Sequence, residues 1–225
     1  MCGRYTITIT LEELMMRYFA DLPATPFELP RFNVAPTQMV PAVVHDGERN
    51  RLGLLKWGLI PPWAEEEKIG SRMINARAET LEEKPAYRNA FRRKRCLIPA
   101  DGFYEWKSAP GGGKRPYRIV LRSGGVFSMA GLYETWTAPD GRKVSSFAVI
   151  TTEPNPLMAG IHDRMPVILR PEDEPLWLDR QVQDPALLKP LLVPYPAAEM
   201  DAYEVDKRVG SPANDDAACL ERITG

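Results

Sequence analysis

A series of short strand-like segments fills the second half of the chain, and this pattern restricts the fold more than any other feature. Each segment is apolar, has the length of a strand and ends at Gly, Pro or Asp. The segments cover 96–98, 103–107, 117–122, 126–135, 145–152 and 165–170. The glycine triplet at 111–113 marks a hairpin tip, and 171–178 and 185–192 predict short helices. We therefore expect the second half to be mostly β-structure.

The first half adds a helix and further strands. Residues 5–10 alternate and are β-branched, which predicts a strand that carries Cys2 at its open end. Thr10 and Glu13 have the form of a capping box, which predicts a helix over 11–20. Strands are predicted at 39–44 and 51–57, and a helix within 79–95 that ends in a basic, solvated run at 92–95. No repeat and no break in composition divides the chain, so we expect one domain over 1–225.

Charge and cysteine content argue against several classes of function. The 225 residues include 29 Lys and Arg against 30 Asp and Glu, so a nucleic-acid surface would have to be a local patch. The three cysteines, at 2, 96 and 219, have no spacing typical of metal or redox sites, and only two histidines are present. The sequence shows no signal-peptide core and no apolar run of membrane-spanning length. We expect a cytosolic protein, or a nuclear one in a eukaryote, with neither metal nor cofactor.

Cys2 offers chemistry that no internal cysteine can offer. Removal of Met1 would leave a thiol and a free α-amine on one two-carbon unit, with ordinary pKa values of roughly 8.5 and 7.7–8.0. Such an amine captures an aldehyde as an imine, and the thiol then closes onto the imine carbon to give a thiazolidine. Gly3 permits close approach of the backbone, and Arg4 offers a bidentate cation for a phosphate. The alternative is that Cys2 is a small hydrophobic residue near the start of the chain.

The sequence around Trp63 predicts a stiff loop. Pro61 and Pro62 fix two φ angles and remove two backbone donors. An exposed tryptophan on such a loop could stack on a nucleic-acid base, as aromatic residues do in proteins that bind single strands. The alternative is that Trp63 fills the core beneath the loop.

Asn75 and Arg77 lie two residues apart on a segment predicted to be extended. Their side chains therefore point to the same face. Asn75 could hold an aldehyde or a sugar hydroxyl, while Arg77 binds a phosphate. The alternative is an ordinary polar edge.

Two further residues are candidates for proton transfer. Glu105 lies among aromatic residues, and desolvation there would raise the pKa of its carboxyl toward neutral pH. Alternation places Glu105 on the same side as Phe103, so a solvent-exposed position is the less natural interpretation. His162 is followed by charged residues and an apolar strand, which is compatible with a proton shuttle. A structural role is the alternative for each of them.

Six motifs and a late segment together resemble the SRAP family, the SOS response-associated peptidases, also called abasic-site processing proteins. In chain order they are MCGRY (1–5), NVAP (33–36), WGLIP (57–61), NARAET (75–80), DGFYEW (101–106), HDRMP (162–166) and SPAND (211–215). The resemblance covers residues 2–215 and leaves 216–225 as a tail. It implies a single α+β domain with a curved, largely antiparallel, barrel-like sheet and flanking helices.

The resemblance also implies an activity, the covalent capture of ring-opened abasic sites in single-stranded DNA. Cys2 would be the nucleophile, and Asn75 would engage the abasic sugar. Glu105 would transfer protons during imine formation and during removal of Met1. His162 would assist ring opening and reversal of the crosslink.

The DNA contacts expected from the resemblance and from the residue types lie at five positions. Arg4 and Arg77 would anchor phosphates, Pro36 and Trp63 would line the path of the strand, and Thr151 is a further candidate. The expected partner is single-stranded DNA with abasic sites, bound by a monomer in the cytoplasm near the nucleoid, or in the nucleus of a eukaryote, with no metal, cofactor or membrane.

Two other functions remain compatible with the residues. One is a cysteine peptidase that acts on other proteins with His162 as its base. The other is a non-covalent reader of single-stranded nucleic acid that uses Trp63 and the arginines.

Overall fold

Two β-sheets and a few short helices make up the chain in a computed structural model that describes residues 2–21 and 23–223. Met1, whose removal the sequence analysis predicts, lies outside the described residues. The strands are β1 (Tyr5–Ile7), β2 (Arg31–Val34), β3 (Met39–His45), β4 (Asn50–Trp57), β5 (Asn75–Arg77), β6 (Arg95–Ala100), β7 (Gly102–Ser108), β8 (Lys114–Leu121), β9 (Phe127–Thr137), β10 (Lys143–Thr152), β11 (Met165–Pro166), β12 (Ile168–Leu169) and β13 (Met200–Glu204). The helices are α1 (Leu11–Tyr18), α2 (Arg88–Arg93), α3 (Pro156–Ala159), α4 (Glu174–Leu178) and α5 (Pro185–Leu188).

The larger sheet closes into a barrel. Its strands follow the order β10-β4-β3-β6-β9, and β9 pairs again with β10, which closes the ring. The β4–β10 pair is parallel, whereas the other pairs in the ring are antiparallel. β5 lies alongside β10 beyond the end of β4. The predicted α+β fold with a largely antiparallel, barrel-like sheet is thereby confirmed.

The smaller sheet holds the N-terminal end of the chain. Its strands follow the antiparallel order β13-β8-β7-β1-β2, so β1 is paired on both sides. Tyr5 pairs with Phe103 of β7 and with Val34 of β2. The chain therefore runs from Cys2 into β1, which lies beside β7, the strand that carries Glu105.

Alternate residues of β6 pack into two different cores. Cys96 and Ile98 join a core that includes Phe103 of the smaller sheet. Leu97 joins a second core with Trp177 of α4. Because both faces of the strand are covered, β6 is buried along its whole length.

The start of α1 follows the predicted capping box. The backbone N–H of Glu13 donates to Oγ1 of Thr10 over 3.2 Å, and the backbone N–H of Thr10 donates to Oε2 of Glu13 over 2.8 Å. β1 ends earlier than predicted, at Ile7. The backbone N–H of Thr8 turns to the carboxylate of Asp101, over 2.8 Å, and is therefore not available to a strand neighbour.

Two predictions from the sequence were wrong. The single strand at 165–170 is two strands, because β11 pairs with β10 and β12 pairs with β9. The basic run is not solvated throughout, since Arg95 is buried. Its guanidinium donates to the carbonyl oxygens of Trp177 and Phe91 over 2.6 and 3.0 Å, which fixes α2 against α4.

Candidate active site

Cys2 lies just before β1, in the core that the two sheets share. Its side chain is fully buried, and Sγ stands 4.0 Å from the carbonyl oxygen of Arg4. Burial raises the pKa of the Cys2 thiol well above its usual range, and the negative charge of Glu105 raises this pKa further. The thiol is therefore held protonated, and the nearby carboxyl group of Glu105 contributes to this.

Asn75 links the barrel to Cys2. Its Nδ2 donates to the carbonyl oxygen of Cys2 over 3.0 Å. Its Oδ1 is buried and has no hydrogen-bond partner in the described part of the chain. The backbone of Asn75 is held by pairing with Val149 and by Tyr87, whose hydroxyl donates to the Asn75 carbonyl oxygen over 3.2 Å. One end of the amide thus fixes Cys2, and the other end can accept a hydrogen bond from a substrate hydroxyl.

Glu105 and His162, the two candidates for proton transfer, lie close together. Glu105 is 2% exposed on β7, as its alternation with Phe103 predicts, and its Oε2 lies 3.9 Å from Nε2 of His162. Burial raises the pKa of the Glu105 carboxyl, and the charge of His162 offsets part of this rise. The carboxyl is therefore better able to donate a proton near neutral pH than an exposed glutamate.

The ring of His162 is oriented from its other side. Nδ1 accepts the backbone N–H of Arg164 over 3.1 Å. Oδ1 of Asp163 lies 2.9 Å from the same nitrogen. These contacts hold the ring so that Nε2 faces Glu105.

A groove of about 410 Å³ opens beside Asn75. Asn75 and Arg77 both line it, as their spacing predicts. Trp63 forms part of its wall and is 60% exposed, so the alternative that Trp63 fills the core is wrong. The other lining residues are Met73, Thr80, Lys84, Pro85, Ala86 and Tyr87. The groove thus combines exposed aromatic surface with cations, the two features that single-strand binding requires.

The Trp63 loop is fixed at its base. Gly58 has a φ of +130°, and a Cβ at this position would lie 2.5 Å from the carbonyl oxygen of Gly70. The loop therefore packs directly on the 3₁₀ helix at Glu67–Arg72. The backbone N–H of Ile60 also donates to Oγ of Ser146 over 2.8 Å. This anchoring lets the loop present Trp63 at a defined position.

Three of the predicted DNA contacts do not line the groove. Thr151 is fully buried, and its carbonyl oxygen accepts from Arg164 over 2.6 Å, so the prediction that its side chain contacts DNA is not supported. Pro36 is half-buried in the turn between β2 and β3. Both Nη atoms of Arg4 donate to protein oxygens.

Six lining residues of the groove were not predicted from the sequence, and four of them are residues 84–87. The sequence predicts a helix within 79–95, which includes these four. Pro85 interrupts that segment, so α2 begins only at Arg88 and the preceding turn lines the groove. Pro85 was the signal that could have revealed this turn.

The motifs and the site agree with one known family. Residues 1–212 match the family model described as SOS response associated peptidase (SRAP). The chain belongs to the SRAP family. The resemblance seen in the motifs is thereby confirmed.

SRAP proteins similar to this chain carry a common name. The abasic site processing protein YoqW of Bacillus subtilis is 49% identical over 223 residues, which cover 98% of this chain and 99% of that protein. The abasic site processing protein HMCES of Xenopus tropicalis is 30% identical, over 86% of this chain and 66% of that protein. A crystal structure of a protein from Bacteroides thetaiotaomicron superimposes with a TM-score of 0.88 at 29% identity, over 99% of this chain and 100% of that one.

This SRAP chain has a larger cavity elsewhere, of about 600 Å³, beside α1 and α4. None of the four predicted catalytic residues lines it. Within residues 2–21 and 23–223, no group of His, Cys, Asp and Glu side chains could hold a metal ion. No helix of the same residues is both long and apolar enough to cross a membrane.

Proposed function

We propose that this protein recognises ring-opened abasic sites in single-stranded DNA and captures them covalently through Cys2 after Met1 is removed. The product is a thiazolidine crosslink that shields the lesion. Relatives up to 49% identical are named abasic site processing proteins, which supports the choice of substrate. The covalent step is inferred from the chemistry of the residues.

One observation carries this proposal. Nδ2 of Asn75 holds the carbonyl oxygen of Cys2 at 3.0 Å, and the Glu105–His162 pair lies beside the same thiol. The thiol of Cys2, the amide of Asn75 and the Glu105–His162 pair thus lie close together, and Asn75 also lines a groove that suits a single strand.

Removal of Met1 activates the chain. Hydrolysis of the Met1–Cys2 peptide bond consumes one water and releases methionine, and the new α-amine lies on the same residue as the thiol. Glu105 is placed to transfer the proton that the departing amine requires. This autoproteolytic step is peptidase-like and acts on the chain itself.

Capture of the lesion begins with the sugar. The closed hemiacetal opens when its hydroxyl loses a proton and its ring oxygen gains one, a transfer suited to His162 and Glu105. The buried Oδ1 of Asn75 can accept from a hydroxyl of the opened sugar. The Cys2 amine then adds to the C1′ aldehyde to give a carbinolamine.

Loss of water from the carbinolamine gives the imine, and Glu105 donates the proton that the leaving hydroxyl needs. The Cys2 thiol adds to the imine carbon and passes its proton to the imine nitrogen, which closes the five-membered ring. The net change is one C–N bond and one C–S bond formed at C1′ with one water released. The open imine is the species that could undergo lyase-type strand cleavage, so ring closure protects the DNA.

The groove supplies the non-covalent part of binding. Trp63 can stack on a base, and Arg77 can contact a phosphate on the same face as Asn75. We propose that Pro36 flanks this path and that the protein acts as a monomer. We also propose that it works where the cell holds its DNA, in the cytoplasm at the nucleoid or in a nucleus.

The test is intact mass before and after mixing with a single-stranded oligonucleotide that bears one abasic site. We expect the mass to rise by the oligonucleotide minus one water, and Cys2→Ala to abolish the rise. A complex that dissociates in denaturing detergent would indicate a non-covalent reader instead. Turnover of unrelated peptides without any adduct would indicate a peptidase.

A further inference from the structure

Two of the sequence motifs, NVAP (33–36) and SPAND (211–215), have no role in the proposed chemistry, and they contact each other in the structure. The carboxylate of Asp215 accepts the backbone N–H groups of Phe32 and Asn33 over 2.5 and 2.8 Å. Nδ2 of Asn33 donates to the carbonyl oxygens of Ser211 and Asn214 over 3.0 and 2.8 Å. Residues 207–215 therefore close onto β2, and we call this segment the C-terminal clasp.

The clasp holds Arg4. Nη1 of Arg4 donates to the carbonyl oxygen of Val209 over 2.6 Å and to Oδ1 of Asn33 over 3.1 Å. Nη2 donates to the carbonyl oxygen of Gly210 over 3.0 Å. These carbonyls lie at the end of the 3₁₀ helix Lys207–Gly210, where a helix terminus favours a cation.

The other end of Arg4 is also fixed. Its carbonyl oxygen accepts the backbone N–H of Tyr104 over 2.9 Å and lies 4.0 Å from Sγ of Cys2. Tyr104 is the residue before Glu105, and its hydroxyl donates to the carbonyl oxygens of Phe32 and Cys219 over 2.8 and 3.1 Å. The backbone between Cys2 and β1 is thus held on one side by the clasp and on the other by the strand that carries the catalytic carboxyl.

We propose that Arg4, held by Asn33 and the C-terminal clasp, is a positioning residue that sets Cys2 against Glu105 and Asn75. This inference rests on the proposed function and replaces the expectation that Arg4 anchors a phosphate. The guanidinium fork suits the role, because its two Nη atoms reach three acceptors on two segments. A lysine ammonium carries all its donors on one atom and cannot reproduce this geometry.

The experiment is single-turnover crosslinking at a series of abasic single-stranded DNA concentrations and at several salt concentrations. The variants are Arg4→Lys and Asp215→Asn, the second of which loosens the clasp without touching Arg4. The matched control is Arg222→Ala, which removes an exposed ion pair with Asp201 outside the clasp. Thermal unfolding of each variant reports the folded fraction.

We expect the maximal rate constant to fall about 10- to 100-fold in Arg4→Lys and by a smaller factor in Asp215→Asn. The half-saturating DNA concentration and its salt dependence should stay at wild-type values, as should all kinetic properties of Arg222→Ala. A raised half-saturating concentration with a weaker salt dependence would assign Arg4 to a phosphate and overturn the inference. Unchanged rates per folded molecule, or lower melting temperatures alone, would overturn it as well. If the wild-type protein forms no adduct, the proposed function fails, and the two failures are thereby distinguished.

Discussion

Two of the glutamates that are buried in the chain differ in their surroundings. Glu174, 7% exposed, accepts both Nη atoms of Arg17 over 2.6 and 3.0 Å, and Oγ of Ser128 donates to it over 2.6 Å. Glu105, 2% exposed, faces an imidazole nitrogen at 3.9 Å, and burial raises its pKa. The first carboxylate is matched to a guanidinium fork, and the second stands beside a group that can exchange protons.

The larger of the two cavities is not the one that the candidate catalytic residue Asn75 lines. The cavity beside Glu174 is the larger, at about 600 Å³ against about 410 Å³ for the groove beside Asn75. A bidentate contact between an arginine and a carboxylate, as between Arg17 and Glu174, fixes the two side chains and stabilises the local packing. A carboxyl with a raised pKa beside a histidine can serve as acid and base.

The largest effect is expected from Glu105→Gln. The amide keeps the shape of the side chain but cannot transfer a proton, so the crosslinking rate constant should fall about 10²- to 10⁴-fold. Single-turnover kinetics with abasic DNA measure this change. Glu174→Gln is the matched control, because it neutralises a buried carboxylate outside the site. If the crosslinking rate constant fell equally in both variants, the two glutamates would not differ in function.

The next effect is on stability. Glu174→Gln removes the charge that pairs with Arg17, and we expect the free energy of unfolding to fall by about 3 kcal/mol. This is the lower end of the range for buried pairs, because the Arg17 side chain is 30% exposed. Urea denaturation at neutral pH measures the loss. A Glu105→Gln variant that loses as much stability would contradict the distinction between the two carboxylates.

Trp63→Ala should weaken binding of single-stranded DNA by about 1–3 kcal/mol, because one stacking surface is lost. Titration with an oligonucleotide that has no abasic site, monitored by fluorescence anisotropy, measures the non-covalent affinity separately from the covalent step. Phe19→Ala is the control, since Phe19 is 89% exposed but lines the cavity beside Glu174. If both substitutions weaken binding equally, the DNA does not follow the groove.

The smallest effect is a pH dependence of stability. The folded pKa of Glu105 is raised, so the folded state binds the proton more tightly than the unfolded state. The stabilising contribution is complete below the unfolded pKa of about 4.3 and is lost as pH rises through the folded pKa. Within this window, each pH unit lowers the free energy of unfolding of the wild type by about 1.4 kcal/mol relative to that of Glu105→Gln. Urea denaturation at several pH values measures the difference, and parallel curves for the two proteins would rule it out.

Local sequence patterns predicted much of the fold and the placement of several candidate residues. The capping box of α1, the strands of the second half and the shared face of Asn75 and Arg77 all follow from short-range periodicity. The burial of Glu105 also follows from its place in an apolar strand. These features depend on neighbours within a few residues, which a sequence displays directly.

Long-range partners could not be predicted in this way. Asp215 meets Phe32 across 183 positions, and nothing near either residue indicates the other. The guanidinium of Arg95 is buried against α4, where the carbonyl oxygen of Trp177, 82 positions away, accepts from it. The role proposed for Arg4 depends on the same kind of contact, since two of its three acceptors lie more than 200 positions along the chain.

The central claim is that the amine and the thiol of Cys2 bind the same carbon of the lesion. The most direct measurement is the ¹³C NMR spectrum of the adduct formed with an oligonucleotide labelled at C1′ of its abasic site. The account predicts one saturated carbon bonded to both nitrogen and sulfur, on a chain that has lost Met1. An unsaturated imine carbon, or an adduct to a chain that retains Met1, would contradict it.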